Sequence, residues 1–256
     1  MRDLSAFDFD GAGQICALRN SSGDCPALVL LTPAGEVLKE MPLRFGALPE
    51  SPQFAGPTHV GGSRFIASVS GSGVGAMARF FLADFDAGTA RELAATNCPA
   101  VKQMTGFPDG CFVALTHRNL KYSSEEGLFC FARDGKLLWT REKGGYGGQP
   151  DDLLSPEDVA RYGTNTFAVV DNIRNTIQVF DLQGKLDRVI DLRKAWGREP
   201  SYPTDLAADV DNGFLLYDFN ARQNFLRLNA DGAIRFEGVP RLADGRPITV
   251  RNGFVC

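Results

Sequence analysis

Short apolar runs of strand length alternate with glycine-centred polar turns along the whole chain. Several turns carry Asp-Gly or Asn-Gly pairs, which tolerate the positive φ that tight hairpins need. The turns recur about every 50 residues in two parallel series, at Gly35, Gly88, Gly135, Gly184 and Gly232 and at Gly13, Gly62, Gly110, Gly163, Gly213 and Gly253. A repeat of that length built only from short strands is typical of a β-propeller with one four-stranded blade per repeat.

The repeat predicts where each blade begins and ends. Five full blades are predicted at 4–43, 57–96, 99–140, 156–192 and 203–238, and residues 247–256 match only the first two strands of another. We therefore predict one all-β domain over residues 1–256, a six-bladed β-propeller with five full blades and an incomplete sixth. Because a half blade leaves a sheet edge open, we expect the natural chain to continue beyond Cys256 by at least two strands, about 20–30 residues.

One segment is ambiguous between helix and strand. The run from Leu186 to Ala195 fits either period by pattern alone, and the repeat register makes its first part a strand. No other stretch shows helical periodicity.

Charge and composition narrow the function classes. The formal net charge is −4 and the sequence pI is near 5.3, so the chain lacks the basic excess of a general nucleic-acid or anionic-membrane surface. We expect no nucleic-acid and no membrane partner. Met1-Arg2-Asp3 leads directly into a strand-like run, which favours a cytoplasmic location. A periplasmic or secreted location is the alternative if an N-terminal leader is missing.

The six cysteines include no Cys-x-x-Cys pair. Cys16 follows a repeat glycine at a position that other blades fill with apolar residues, so it is predicted to be a small core residue. Cys111 and Cys130 lie on predicted neighbouring strands, and a disulfide between them stays open as an alternative.

The strongest repeats, within residues 154–238, resemble the NHL-repeat family. Its pattern is matched by Pro156 to Ala160, Phe167 to Asp171 and Ile177 to Phe180, followed by the turn at Gly184. The family's usual Arg before the third strand is Thr176 in one blade and Asn224 in the next. The resemblance implies a six-bladed propeller that commonly serves as a binding platform. Relatives of similar architecture include metal-dependent lactonases and peptidyl-hydroxyglycine lyases, whose metals sit on the central axis.

Loop length is predicted to be concentrated on one face. The turns from first to second and from third to fourth strands are short throughout. The remaining loops are longer and share the opposite face, at 19–26, 44–56, 70–76, 117–127, 141–155 and 193–202. Long loops are where binding residues usually sit. The long-loop face is therefore the predicted binding face.

Three residues are predicted to converge at the channel mouth on this face. Asp158 and Asp205 follow equivalent prolines at the starts of inner strands, and His59 aligns with them in Pro57-Thr58-His59. A His and two carboxylates can hold a divalent metal and lower the pKa of its bound water. The alternative interpretation is that the aspartates bond to backbone groups at the crowded strand ends.

The sequence favours binding over catalysis. His117 and Arg118 open a long loop and are additional candidate ligand-binding residues, although a solvated loop is the plainer interpretation. We expect a non-catalytic scaffold, without a cofactor, that binds a protein, peptide or small ligand. The alternative is a metal-dependent lactonase, hydrolase or lyase with one divalent metal ion on the central axis. His59, Asp158 and Asp205 would be the ligands of that metal.

Overall fold

The computed structural model describes residues 4–20, 25–44, 48–49, 51–71, 75–94, 97–116, 127–142, 149, 152–198, 200, 202–209, 211–219, 224–238, 250–251 and 254–255. The chain forms two compact units, residues 1–141 and residues 142–256, each held together by its own internal contacts. The sequence-based expectation of one domain stays a prediction.

The first unit contains three four-stranded antiparallel sheets whose strands pair in chain order. Blade 1 comprises β1 (Leu4–Phe9), β2 (Ile15–Arg19), β3 (Ala27–Leu31) and β4 (Val37–Pro42). Blade 2 comprises β5 (Gln53–His59), β6 (Arg64–Ser70), β7 (Arg79–Asp84) and β8 (Thr89–Glu92). Blade 3 comprises β9 (Val101–Gly106), β10 (Phe112–Thr116), β11 (Gly127–Phe131) and β12 (Leu137–Glu142), which ends at the boundary between the units.

The second unit contains two such sheets. Blade 4 comprises β13 (Pro156–Arg161), β14 (Thr166–Asp171), β15 (Thr176–Asp181) and β16 (Leu186–Asp191), followed by the helix α1 (Leu192–Trp196). Blade 5 comprises β17 (Pro203–Ala208), β18 (Phe214–Asp218), β19 (Asn224–Leu228) and β20 (Ile234–Gly238). The strands β21 (Val250–Arg251) and β22 (Phe254–Val255) form a separate two-stranded sheet.

The fold is an all-β β-propeller, but the predicted number of six blades was wrong. Over the described residues the chain forms five sheets of four strands. The apolar pattern of residues 247–256 resembles the start of a blade, which led to the prediction of a sixth. The strands there have two residues each and pair with one another, and a blade face needs longer strands to bury apolar side chains.

The ambiguous segment divides as the repeat register predicts. Leu186–Asp191 is strand β16, and the helix α1 follows it directly. The Asp191 carboxylate caps the helix by accepting the Lys194 amide at 3.1 Å, and Gly197 ends it in the left-handed region at φ 64°. The strand therefore ends at Asp191 and the helix begins at Leu192, with no loop between them. The apolar pattern continues across this boundary, so the pattern alone could not locate it.

Neighbouring blades within each unit pack through apolar faces. Blades 2 and 3 share a cluster around Phe80, Phe112 and Phe131, whose ring centroids lie 4.9–5.1 Å apart. Blades 4 and 5 share an aliphatic cluster that includes Val170, Leu206 and Leu216. Since paired residues of adjacent strands share a sheet face, the strand register decides which side chains enter these cores.

The inner strand of every described blade carries a β-bulge. In β13 the register shifts between Pro156 and Asp158, and in β17 between Pro203 and Asp205. In β5 the shift lies between Ala55 and Thr58. A bulge adds one residue to one strand and therefore changes which residues of different blades are equivalent.

Gly106 lies at the close approach of blades 2 and 3. A Cβ atom there would lie 2.2 Å from the His59 carbonyl oxygen and 2.7 Å from a Val60 methyl carbon. We expect Gly106→Ala to lower the free energy of unfolding by about 2–3 kcal/mol, because two backbones must separate. Urea denaturation measures this. Gly11→Ala is the matched control, since no atom lies within 4 Å of its added Cβ. An equal effect of both substitutions would contradict the steric explanation.

Candidate functional site

The candidate residues lie where the inner strands begin. We call this part of the second unit the loop end of blades 4 and 5: the starts of β13 and β17, the ends of β14 and β18, and the residues directly beside them. Pro156 pairs with Asp171 and Pro203 pairs with Asp218, so the two blades are built alike here.

Asp158 connects the two blades through backbone groups. Its Oδ2 accepts the Leu206 amide of β17 at 2.8 Å, and its Oδ1 accepts the Val159 amide at 2.8 Å. This is the alternative interpretation that the sequence left open for Asp158. The carboxylate joins two inner strands that would otherwise leave an amide unpaired.

His59 occupies a different position from the two aspartates. Its amide donates to Asp8 Oδ2 at 2.7 Å, as the amide of Leu206 donates to Asp158. His59 pairs with Phe65 beside the hairpin turn of blade 2, as Arg161 pairs with Phe167 in blade 4 and Ala208 with Phe214 in blade 5. His59 therefore corresponds to Arg161 and Ala208, three residues later than the sequence alignment places it.

The His59 ring is buried and engaged within blade 2. Its Nε2 lies 2.8 Å from the Gly62 carbonyl oxygen, so this nitrogen carries the hydrogen and donates it. The ring packs against Phe65 at 5.4 Å between centroids, and only 7% of the residue is exposed. Packing and a backbone hydrogen bond thus hold the ring in place.

These engagements do not match a metal site made of His59, Asp158 and Asp205. Nε2 of His59 faces a carbonyl oxygen, and both oxygens of Asp158 accept backbone amides. Among the residues the structure describes, no group of three or more His, Cys, Asp or Glu side chains is arranged to hold a metal ion.

Asp171 and Asp218 secure the chain at the ends of the second strands. The sequence predicts that both cap loops through backbone N–H groups. Asp171, fully buried, accepts the amides of Leu154 at 2.6 Å, Ser155 at 3.1 Å and Arg174 at 3.0 Å. Asp218 accepts the Tyr202 amide at 2.5 Å. The sequence predicts that each aspartate caps the loop that follows it, and the Arg174 amide confirms this for Asp171. For Asp218 it stays a prediction, because the Tyr202 amide belongs to the segment before the inner strand.

Asp205 and Tyr217 form a polar pair on blade 5. They lie directly opposite each other on β17 and β18, so their side chains share one face of the sheet. Burial raises the pKa of the Tyr217 hydroxyl, and the nearby Asp205 carboxylate raises it further. The Thr204 hydroxyl donates to Asp205 Oδ2 at 2.8 Å. Tyr217 therefore stays a neutral hydroxyl beside a carboxylate at neutral pH.

Two exposed aromatic residues flank this pair. Tyr202 is 47% exposed and Phe219 is 57% exposed. The Phe219 amide donates to the Tyr202 carbonyl at 2.8 Å, and the Phe219 ring lies 6.4 Å from the Tyr217 ring between centroids. Sequence reasoning missed all three aromatics. The available signal was their position beside Pro203 and Asp218, which the repeat had already placed at this end of the blade.

The buried cysteines that the structure describes are not candidate nucleophiles. All five that the structure describes are free, so the alternative disulfide between Cys111 and Cys130 does not form. Cys16 is buried as predicted. Burial raises the pKa of the Cys16 and Cys98 thiols strongly, and raises that of Cys130 to about 12. These groups remain thiols at neutral pH, whereas the thiolate is the reactive form.

The remaining predictions about ligand-binding residues are not tested by the structure. His117 and Arg118 lie outside the described residues. The assignment of His59, Asp158 and Asp205 to ligand binding stays a prediction. Over the part of the chain that is described, no helix is both long and apolar enough to cross a membrane.

Comparison with known proteins places the fold among solved structures. No family model and no curated protein matches the chain. A streptogramin B lyase structure matches with a TM-score of 0.58 and 13% identity, over 96% of this chain and 72% of that one. The virginiamycin B lyase of Staphylococcus aureus matches with a TM-score of 0.55 and 14% identity over the same shares. A catalytically inactive form of that lyase with quinupristin matches with a TM-score of 0.56 and 13% identity, again over the same shares. Identities this low show a shared β-propeller fold and nothing of the activity.

Proposed function

We propose that this chain is a β-propeller binding module of the NHL-like type, which takes a peptide or small ligand at the loop end of blade 5. The observation that carries the proposal is the pair of exposed aromatic residues, Tyr202 and Phe219, beside Asp205 and Tyr217. Aromatic residues are enriched among the residues that dominate binding energy, because they offer large rigid contact area. The Asp218 carboxylate accepts the amide of Tyr202, and Asp158 accepts the Leu206 amide in the inner strand that follows Tyr202.

A panel of acetylated tripeptides with a varied central residue tests the proposal. Saturation-transfer NMR would compare the wild type with the double variant Tyr202→Ser, Phe219→Ser. We expect the double variant to lose at least about tenfold in affinity for the peptides that bind, as expected for central aromatic contacts.

Phe236→Ser provides the matched control. Phe236 is 59% exposed, close to Phe219, but it lies on the outermost strand β20. The control should bind like the wild type. If no peptide binds the wild type, or if the double variant binds as well as the wild type, the proposal is wrong.

A lyase activity is the second candidate. It is favoured by the lyase neighbours and by Asp205 beside Tyr217, since a carboxylate and a neutral hydroxyl can serve as base and acid. Incubation with quinupristin, followed by liquid chromatography, separates the two functions. Under the binding proposal we expect quinupristin to be recovered unchanged. Conversion that is lost in Tyr217→Phe would favour the lyase instead.

A further inference from the structure

Tyr217 has a buried hydroxyl group that the fold leaves unsatisfied. The residue is only 4% exposed, and its hydroxyl oxygen has no hydrogen-bond partner among the residues that the structure describes. Burying a hydroxyl without a partner is unfavourable. Buried polar groups nearly always have partners, and the partner of such an exception is commonly an ordered water, an ion or a bound ligand.

The surroundings of this hydroxyl indicate the chemistry of that partner. Asp205 lies opposite Tyr217 on the same sheet face and supplies negative charge. The hydroxyl oxygen can accept a hydrogen bond from an N–H donor. A cationic amine satisfies both the carboxylate and the hydroxyl oxygen, whereas an anion would be repelled by Asp205.

The neighbouring rings favour the same kind of ligand. Phe219 stands 6.4 Å from Tyr217 with its ring tilted by 64°, and Tyr202 is its neighbour across the strand end. Aromatic faces attract cations through the ring quadrupole, and the attraction strengthens when the cation is desolvated. Two exposed rings thus lie beside the carboxylate and the buried hydroxyl.

We propose that Asp205, Tyr217, Tyr202 and Phe219 bind a protonated alkylamine of the kind that a lysine side chain carries. The proposal rests on the proposed binding function and specifies its ligand. The ammonium group donates hydrogen bonds to the Asp205 carboxylate and to the Tyr217 oxygen. The alkyl chain of the ligand lies against Phe219 and Tyr202.

Two matched probes test the charge requirement. One is N-acetyl-lysine methylamide, and the other is its 2-aminoheptanoic acid analogue, in which a methyl group replaces the ammonium. Isothermal titration of the whole chain should show the lysine probe binding at least about fivefold more tightly than the neutral probe. Equal affinity of the two probes, or no saturable binding of either, overturns the proposal.

Two conservative variants test the named residues. Tyr217→Phe and Asp205→Asn should each weaken the lysine probe by about tenfold, the usual value of a hydrogen bond to a charged group. Asp231→Asn is the control and should bind like the wild type, because that exposed carboxylate only accepts the Ala233 amide in a distant turn. Unchanged affinity in both test variants would show that the site is elsewhere.

Thermal unfolding distinguishes a variant that has lost binding from one that has lost its fold. Because the Tyr217 hydroxyl has no partner, Tyr217→Phe should leave Tm unchanged or higher, so weaker binding reports the site and not the fold. The inference fails separately from the proposed function. Tripeptides that need Tyr202 and Phe219 but show no preference for lysine would retain the binding module and refute the cationic ligand.

Discussion

Replacing Asp171 by alanine is expected to lower the free energy of unfolding by about 3–5 kcal/mol. The carboxylate is fully buried and accepts the amides of Leu154, Ser155 and Arg174. Removing it leaves three backbone donors without their acceptor, and the Leu154 amide among them is buried away from water. Urea denaturation followed by far-UV circular dichroism measures the loss.

The control for Asp171 is an aspartate with a similar local role at the surface. Asp231 accepts the Ala233 amide at 3.1 Å in an exposed turn, and Asp231→Ala should cost less than about 1 kcal/mol. Asp171→Asn should fall between the two, since the amide oxygen retains part of the acceptor set. If Asp171→Ala costs no more than Asp231→Ala, the buried carboxylate does not stabilise the start of blade 4.

Replacing Phe131 by alanine is expected to lower the free energy of unfolding by about 3–5 kcal/mol. Phe131 is fully buried between blades 2 and 3, with Phe80 and Phe112 at 5.1 and 4.9 Å between ring centroids. Truncation removes apolar burial and leaves a cavity that these two rings cannot fill without leaving their own positions. Differential scanning calorimetry measures the change.

Phe236→Ala is the control for this second substitution. The same number of atoms is removed from a ring that is 59% exposed, so no buried cavity forms. We expect a change within about 0.5 kcal/mol, as for most surface positions. Equal destabilisation by the two substitutions would show that the three rings are not a packed core.

Much of the candidate site could be predicted from the sequence, and the rest depended on the register in which the strands pair. The repeat placed Asp158, Asp171, Asp205 and Asp218 at the same end of their blades, and the structure bears out that equivalence. His59 was aligned with Asp158 and Asp205, but it lies three residues further along its inner strand. The bulge lies close to the hairpin turn in β5 and at the strand start in β13 and β17, so aligned prolines do not mark equivalent strand positions.

Local pattern alone was sufficient for the strands and turns, because side-chain alternation and glycine turns depend on neighbouring residues only. Gly35 and Gly232 adopt φ of 85° as their turns require, and the all-β propeller follows from the repeat. Only the tertiary structure decided the number of blades, which depends on which strands find partners. It alone also set Tyr217 opposite Asp205 and left the tyrosine hydroxyl without a partner, since both depend on pairing between strands. Long-range pairing is decided by packing across the whole sheet, and no short stretch of sequence contains that information.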